Sequence, residues 1–204
     1  MTKKLVHEWL GNEKVDYGKK EKKDQVGTVT GLAYTSFGGD ILQIEATRFT
    51  GKGRLVLTGQ LGDVMKESAS IALDYVRTHA NEFKIDPKLF EENDVHIHVP
   101  EGAVPKDGPS AGVTMTTALV SCFSNIPVKA NLAMTGEVTL RGNVLPIGGL
   151  KEKSLAAHRS GIDTILIPKE NVKDLDDVPQ EVKDAVTFIP CSNVSQVLHN
   201  ALVK

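Results

Sequence analysis

Cysteine, aromatic side chains and long apolar runs are all scarce in this sequence of 204 residues. The two cysteines, Cys122 and Cys191, exclude a disulfide framework and form no Cys-x-x-Cys motif for metal or redox chemistry. No apolar run reaches the roughly 18–20 residues that span a bilayer, and the N-terminus lacks the apolar core of a signal peptide. We therefore expect an intracellular protein that does not cross a membrane and whose thiols are buried or idle.

An excess of charge of either sign is also missing. Lys and Arg number 24 against 26 Asp and Glu, which gives a net charge of −2 and no basic field for nucleic acid. The one basic cluster, at 19–23, is interpreted as a solvated connector rather than a polyanion site. The length suits a single core, so residues 1–25 are predicted to be a linker and residues 26–204 one compact domain.

Hydrophobic periodicity predicts the secondary structure of that domain. Alternation in VGTVTGLAY, DILQIEA and RLVLTG predicts three strands in an antiparallel meander, and residues 62–82 have helical spacing. Strands are then predicted at 94–100, 131–136, 164–168 and 185–190, and helices from Pro109 to 123, at 150–160 and at 193–202, with a weaker helix before the last strand. Local strand pairing followed by alternation with helices predicts an α+β fold, with small mixed sheets and flanking helices.

The segment Gly108-Pro109-Ser110-Ala111-Gly112 fits the G-x-S-x-G pattern of a hydrolase nucleophile elbow. In that elbow the serine lies directly between a strand and a helix, whereas here the preceding strand ends at Pro100, so the elbow is disfavoured. A glycine-rich helix N-terminus also binds phosphate in small-molecule kinases. The sequence has no G-x-x-x-x-G-K-[ST] motif, but a phosphate-loop, kinase-like domain remains open as an alternative.

His96 and His98 occupy alternate positions of one predicted strand and therefore point to the same face. A pair at this spacing can bind a metal ion, but no third ligand is apparent in the sequence. A polar strand face is the favoured interpretation, and no metal site is predicted. A histidine base for Ser110 is conceivable, and a lysine base is the better option.

Five separated stretches closely resemble, in order, the proteolytic domain of Lon, the ATP-dependent serine protease, in its bacterial A-type form. They cover essentially residues 27–175, and PKDGPSAG matches the A-type version of the loop that carries the nucleophile. The stretches are GLAYTSFGGDILQIEAT, LTGQLGDVMKESA, HIHVPEGAVPKDGPSAGVTM, AMTGEVTLRGNVLPIGGLKEKSLAAHRSGI and TILIPKEN. The resemblance implies a Lon-type proteolytic fold, and it implies that residues 1–25 include the remnant of an upstream ATPase lid.

The resemblance also implies a serine–lysine dyad. Its motifs make Ser110 the nucleophile and Lys153 the base, whereas helical geometry alone chooses only weakly between Lys153 and Lys151. A lysine can accept the serine proton only as a neutral amine, so Lys153 has to be desolvated. Thr135 matches a family position that hydrogen-bonds and orients this lysine.

The loop before the serine supplies the other predicted site residues. Asp107 matches an acidic family position and is expected to set the loop conformation. The N–H of Ser110 and one from Asp107 or Gly108 are the candidate donors to the oxyanion of the tetrahedral intermediate. Glu45 matches a family position near the site, and no catalytic role is predicted for it.

The function implied by the resemblance is hydrolysis of peptide bonds in unfolded or regulatory proteins through an acyl-enzyme. The family implies a ring of six subunits in the bacterial cytoplasm and an ATPase domain, absent from this chain, that feeds substrate. No cofactor is expected in this chain, because ATP and magnesium belong to that ATPase domain. A non-catalytic assembly fragment is kept as an alternative.

Overall fold

A computed structural model describes Trp9 and residues 23–35, 38–100 and 105–203 of the chain. Most of the predicted linker at 1–25 lies outside these ranges, so its boundary with the domain stays a prediction. Within the described residues, two positions before residue 26 contact the rest of the domain: the Ala130 N–H donates to Asp24, and Gln25 bridges to Val128.

The strands and helices of the described residues follow the predicted order closely. The strands are β1 (Thr28–Thr35), β2 (Gly38–Thr50), β3 (Leu55–Thr58), β4 (Asn93–His98), β5 (Leu132–Met134), β6 (Glu137–Val138), β7 (Val144–Leu145), β8 (Thr164–Pro168) and β9 (Thr187–Cys191). The helices are α1 (Asp63–Thr78), α2 (Leu89–Glu92), α3 (Gly112–Ser124), α4 (Leu150–Arg159), α5 (Gln180–Ala185) and α6 (Val194–Ala201). Two 3-10 helical segments cover Pro109–Ala111 and Lys169–Asp177. No helix in the described ranges is long and apolar enough to cross a membrane.

One mixed sheet of seven strands organises the fold, with the order β3-β4-β2-β1-β5-β8-β9, and β6 and β7 form a separate pair. The predicted hairpin is confirmed, because β1 and β2 pair antiparallel over their full facing lengths. The predicted three-strand meander is wrong in its third strand. β3 pairs in parallel with β4, which lies between β3 and β2. Parallel neighbours need a crossover connection, and α1 supplies it.

Helices cover the two faces of this sheet, in agreement with the predicted mixed sheet and flanking helices. Helices α1 and α3 pack on each other, and α3 packs on β1 and β2, whereas α4 packs on the opposite face of the same two strands. Every residue of α3 from Gly112 to Phe123 is buried, and the Ser121 hydroxyl accepts the Gly27 N–H at 2.9 Å. The helix that follows the serine loop is therefore the central helix of the core.

Both cysteines are free and buried, as the sequence predicts. Burial disfavours the thiolate and raises the pKa of Cys122 and of Cys191 to about 11. The two thiols are therefore protonated and unreactive in the folded chain at neutral pH.

Candidate active site

A pocket of about 530 Å³ lies where the β1–β2 hairpin, the serine loop and the N-terminus of α4 meet. Its walls come from residues 32–35 and 40–42 of the hairpin, 105–111 of the loop and 146–149 before α4. Ser110 and Lys153 both line it, so the structure brings the predicted nucleophile and the predicted base to one cavity.

Lys153 is a buried lysine on the inner face of α4. Only 2% of its surface is exposed, whereas Lys151 is exposed to solvent. Removal from water disfavours the ammonium form, so the pKa of Lys153 is lowered from 10.5 to about 8. Burial thus distinguishes the two lysines, which the helical spacing of the sequence could barely separate.

A close contact between β2 and α4 helps to enclose this lysine. A Cβ atom added to Gly39 would lie 2.0 Å from the Glu152 carbonyl oxygen and 2.9 Å from the backbone nitrogen of Lys153. Only glycine lets the two backbones approach this closely. Gly39 therefore serves the packing of the helix that carries the lysine.

Thr135 connects the lysine to the serine segment. The Lys153 Nζ donates to Thr135 Oγ1 at 3.1 Å, and the Thr135 hydroxyl donates to the Ser110 carbonyl oxygen at 3.4 Å. Thr135 is buried with 1% of its surface exposed and directly follows β5. The hydrogen bond that the family resemblance implied for Thr135 is present.

The backbone of the serine is attached to the end of β5. The Gly136 N–H donates to the Ser110 carbonyl oxygen at 2.8 Å, and the Val113 N–H donates to the Gly136 carbonyl oxygen at 3.0 Å. These two bonds resemble one step of a sheet ladder between the start of α3 and the end of β5. The backbone of Ser110, in the short 3-10 segment before α3, is therefore held in a fixed position.

Asp107 fixes the loop on the other side, by capping α1. Its Oδ1 accepts the Met65 N–H and the Gly108 N–H, both at 2.9 Å. The N-cap of α1 is Gly62, which has no side chain to offer, and a Cβ added there would lie 2.3 Å from the Asp107 Cγ. A carboxylate from a distant loop thus takes the place of the usual capping side chain.

Sequence comparison identifies the family to which this arrangement belongs. Residues 1–204 match the sequence model described as the Lon protease (S16) C-terminal proteolytic domain. The chain belongs to this family. The Lon protease of Brevibacillus choshinensis is 59% identical over 204 residues, that of Bacillus thuringiensis (strain Al Hakam) 60% over 203, and Lon protease 1 of Bacillus subtilis (strain 168) 56% over 203. Each match covers all of this chain and 26% of the relative, so the chain spans about a quarter of their length.

In this Lon proteolytic domain, four of the predicted residues line one pocket: Ser110, Lys153, Asp107 and Gly108. The Thr135 hydroxyl links two of them, because it accepts from the Lys153 amine and donates to the Ser110 carbonyl oxygen. Glu45 is not among the residues that line the pocket, and its expected position near the site stays a prediction. It points instead to the exposed face of β2, opposite the face that carries Ile44 and Ala46 into the core.

Sequence reasoning missed two features of the Lon site. The hairpin wall at 32–35 and 40–42 was assigned only to a strand pair, although GLAYTSFGGD stands inside one of the matching stretches. The capping of α1 by Asp107 was also missed. Asp107 and Met65 are 42 residues apart, and a capping signal read along the chain only finds acceptors next to the helix start.

We expect Asp107→Ala to lower the free energy of unfolding of the Lon domain by about 1 kcal/mol, the usual effect of losing an N-cap acceptor. Both N–H groups donate to the same oxygen, so Asp107→Asn retains an acceptor for each and should keep most of the stability. Urea denaturation of the two variants measures the difference. An Asn variant as unstable as the Ala variant would show that charge, rather than the cap hydrogen bonds, holds the loop.

Proposed function

We propose that this chain hydrolyses peptide bonds with Ser110 as the nucleophile and Lys153 as its general base. The observation that carries the proposal is the burial of Lys153 beside the pocket that Ser110 lines, with a pKa lowered to about 8. A general base is most effective when its pKa is close to the working pH. A lysine with its ordinary pKa would remain protonated at neutral pH and could not accept a proton.

The hydrogen bonds of Thr135 support this direction of proton transfer. A hydroxyl group carries one proton, and in this structure the Thr135 hydroxyl donates it to the Ser110 carbonyl oxygen. Towards the lysine, Thr135 therefore acts as an acceptor and takes an N–H of the amine. The lone pair of the neutral amine is left free for the proton of the serine hydroxyl.

The proposed reaction has two stages. The Ser110 Oγ attacks the carbonyl carbon of the substrate, and its proton passes to the Lys153 Nζ. The tetrahedral intermediate then collapses, the C–N bond breaks, and the proton goes from Lys153 to the departing amine. Water hydrolyses the resulting ester in the same way, with Lys153 again as the base.

Stabilisation of the oxyanion requires a change in the loop. The proposed donors are the N–H of Ser110 and one from Asp107 or Gly108, but the Gly108 N–H is bonded to the Asp107 carboxylate in this conformation. Gly108 has φ 129° and ψ 156°, a backbone conformation that residues with a side chain rarely adopt. Because glycine has no Cβ atom, the peptide group at this position can reorient with little steric hindrance. We propose that binding of substrate turns this N–H from Asp107 towards the developing oxyanion.

The activity of a whole protein is part of the same proposal. The relatives are about four times as long as this chain and are named Lon protease, which supports a longer whole protein. We propose that its other part is an upstream ATPase that uses ATP and magnesium, with residues 1–25 as linker and lid remnant. Unfolded or regulatory proteins are the proposed substrates, a ring of six is the proposed assembly, and the bacterial cytoplasm is the proposed location. The family resemblance supports each of these.

A non-catalytic assembly fragment is the second candidate, because the Gly108 N–H is held by Asp107. Reaction with a serine-directed acylating probe, located by mass spectrometry, distinguishes the two. If the domain is catalytic, we expect modification at Ser110 in the native chain and none at Ser110 after denaturation. Equal modification before and after denaturation, or none in the native chain, would favour the assembly fragment.

A further inference from the structure

The serine loop contains the only Asp-Gly pair of the sequence, at Asp107 and Gly108. The Gly108 N–H donates to the Asp107 Oδ1 at 2.9 Å, so the Gly108 nitrogen lies next to the side-chain carboxyl group of the preceding residue. An amide nitrogen held in this position can attack the Cγ atom, because both groups belong to one chain and the ring that forms is five-membered. The loop therefore brings together the two groups of a spontaneous backbone rearrangement.

The surroundings of Gly108 leave room for such a ring. Within the described residues, and apart from its neighbours in the chain, no atom lies within 4 Å of the position that a Cβ atom of Gly108 would occupy. The φ of 129° is open to glycine and rarely adopted by other residues, so the peptide group can turn with little steric hindrance. Asp107 is exposed, and water therefore reaches its carboxyl group.

Asp40 provides a comparison within the same chain. It is exposed as well, and the Ile41 N–H donates to its Oδ1 at the same distance of 2.9 Å. The nitrogen at this site belongs to a β-branched residue, and both residues lie in β2, whose backbone is paired with β1. The hydrogen bond is thus common to the two sites, and only at Asp107 does the nitrogen belong to a residue without a side chain.

We propose that Asp107 is a site of spontaneous modification, at which the chain forms a succinimide and then isoaspartate. The Gly108 nitrogen bonds to the Asp107 Cγ, and one carboxyl oxygen leaves as water with the amide proton and a proton from solvent. Water then adds to one of the two carbonyl carbons of the ring and breaks its bond to nitrogen. Opening at the backbone carbonyl carbon gives isoaspartate, in which the main chain runs through Cγ, and opening at Cγ restores aspartate.

Isomerisation changes the geometry of the serine loop. The main chain gains one atom between the Asp107 Cα and the Gly108 nitrogen, and the Cγ that belonged to the capping carboxylate becomes part of a peptide bond. The Met65 N–H at the start of α1 therefore loses its carboxylate acceptor. Ser110 follows in the same loop and should be displaced. A loss of peptidase activity in the modified chain rests on the proposed function, whereas the modification itself does not.

Incubation of the native, full 204-residue chain in water labelled with a heavy oxygen isotope tests the site. Each hydrolysis of the succinimide places one labelled oxygen atom on Asp107, and electron-transfer fragmentation in mass spectrometry separates isoaspartate from aspartate. The incubation, at mildly acidic pH and physiological temperature, continues until the same chain in urea is labelled at Asp107. We expect label and isoaspartate in the native chain to be more than about tenfold higher at Asp107 than at Asp40, because isoleucine crowds the attacking nitrogen and glycine does not.

A native chain without label at Asp107 would overturn the proposal, because the folded loop would then protect the site. Equal labelling of Asp107 and Asp40 would overturn it as well. Asp107→Glu, whose side chain would have to close a six-membered ring, should take up little label at this position. Asp40→Glu is the matched control and should label at Asp107 like the parent.

Peptide hydrolysis by the same samples is a separate measurement. We expect the rate to fall in proportion to the fraction of isoaspartate at Asp107. An unchanged rate while isoaspartate accumulates would contradict the displacement of Ser110. A fresh chain without activity would contradict the proposed function and would leave the labelling result as it is.

Discussion

Replacing Ser110 by alanine should leave the chain folded and reduce peptide hydrolysis by about a thousandfold or more, as expected when a catalytic nucleophile is removed. The substitution deletes one oxygen atom and leaves the backbone bond from Gly136 to the Ser110 carbonyl oxygen in place. Hydrolysis of a fluorogenic peptide measures the rate, and circular dichroism with thermal melting measures the fold.

Ser70→Ala is the control for this experiment. Ser70 is an exposed helical serine on α1, and its hydroxyl donates to the Lys66 carbonyl oxygen one turn earlier. We expect this variant to keep the activity and the stability of the parent. A Ser110→Ala rate above a tenth of the parent rate would remove Ser110 from the role of nucleophile.

The second large effect is expected at Lys153, where one substitution should raise stability and abolish activity. Lys153→Met keeps the length of the apolar stem and removes the amine, so the proposed base is lost and hydrolysis should stop. The parent has to bury an amine whose pKa is lowered from 10.5 to about 8. At pH 7 this costs the folded state roughly 3 kcal/mol, because each unit by which the pKa is lowered corresponds to about 1.4 kcal/mol. The methionine variant avoids that cost and should be at least as stable.

The sign of the pH dependence follows from the same pKa. Between about pH 8 and pH 10.5 the unfolded chain binds more protons at this lysine than the folded chain. The free energy of unfolding of the parent therefore rises with pH across this window. The stability advantage of Lys153→Met should be largest below about pH 8 and should disappear towards pH 10.5, whereas the peptidase activity of the parent should increase as the amine loses its proton near pH 8.

Lys151→Met is the matched control, because Lys151 is exposed and lies two residues away on the same helix. It should change neither activity nor stability. Thermal melts and peptidase assays of both variants from about pH 6 to 10 decide the assignment. An active Lys153→Met chain, or an inactive Lys151→Met chain, would contradict a dyad of Ser110 and Lys153.

Local patterns in the sequence predicted the individual elements well. The β1–β2 hairpin, helix α1 and helix α4 with its end before Gly161 all lie where periodicity and turn residues placed them. The partner of β3 was not predicted correctly, because proximity along the chain favours pairing with β2. The strand–helix–strand order from β3 through α1 to β4 is a signal for parallel pairing, and it was available in the sequence.

The site divides in the same way between local and distant information. The serine motif is a continuous segment, so its sequence pattern alone singled out Ser110. Helical spacing, in contrast, could not decide between Lys151 and Lys153. That choice needed either the family motif or the packing of α4 against Gly39, which leaves only one of the two lysines buried. The Asp107 cap depends on a contact between segments far apart in the chain, which periodicity does not report.

The attachment of Ser110 to the end of β5 has a practical meaning for protein engineering. The proposed nucleophile takes its backbone position from Gly136 and Val113, whereas another part of the pocket wall comes from the separate hairpin at 32–35 and 40–42. The part that holds the reacting atom and the part that surrounds the substrate are thus encoded in different segments. If the proposed peptidase function holds, libraries that vary the hairpin wall can search for altered cleavage preference while Ser110 keeps its backbone position.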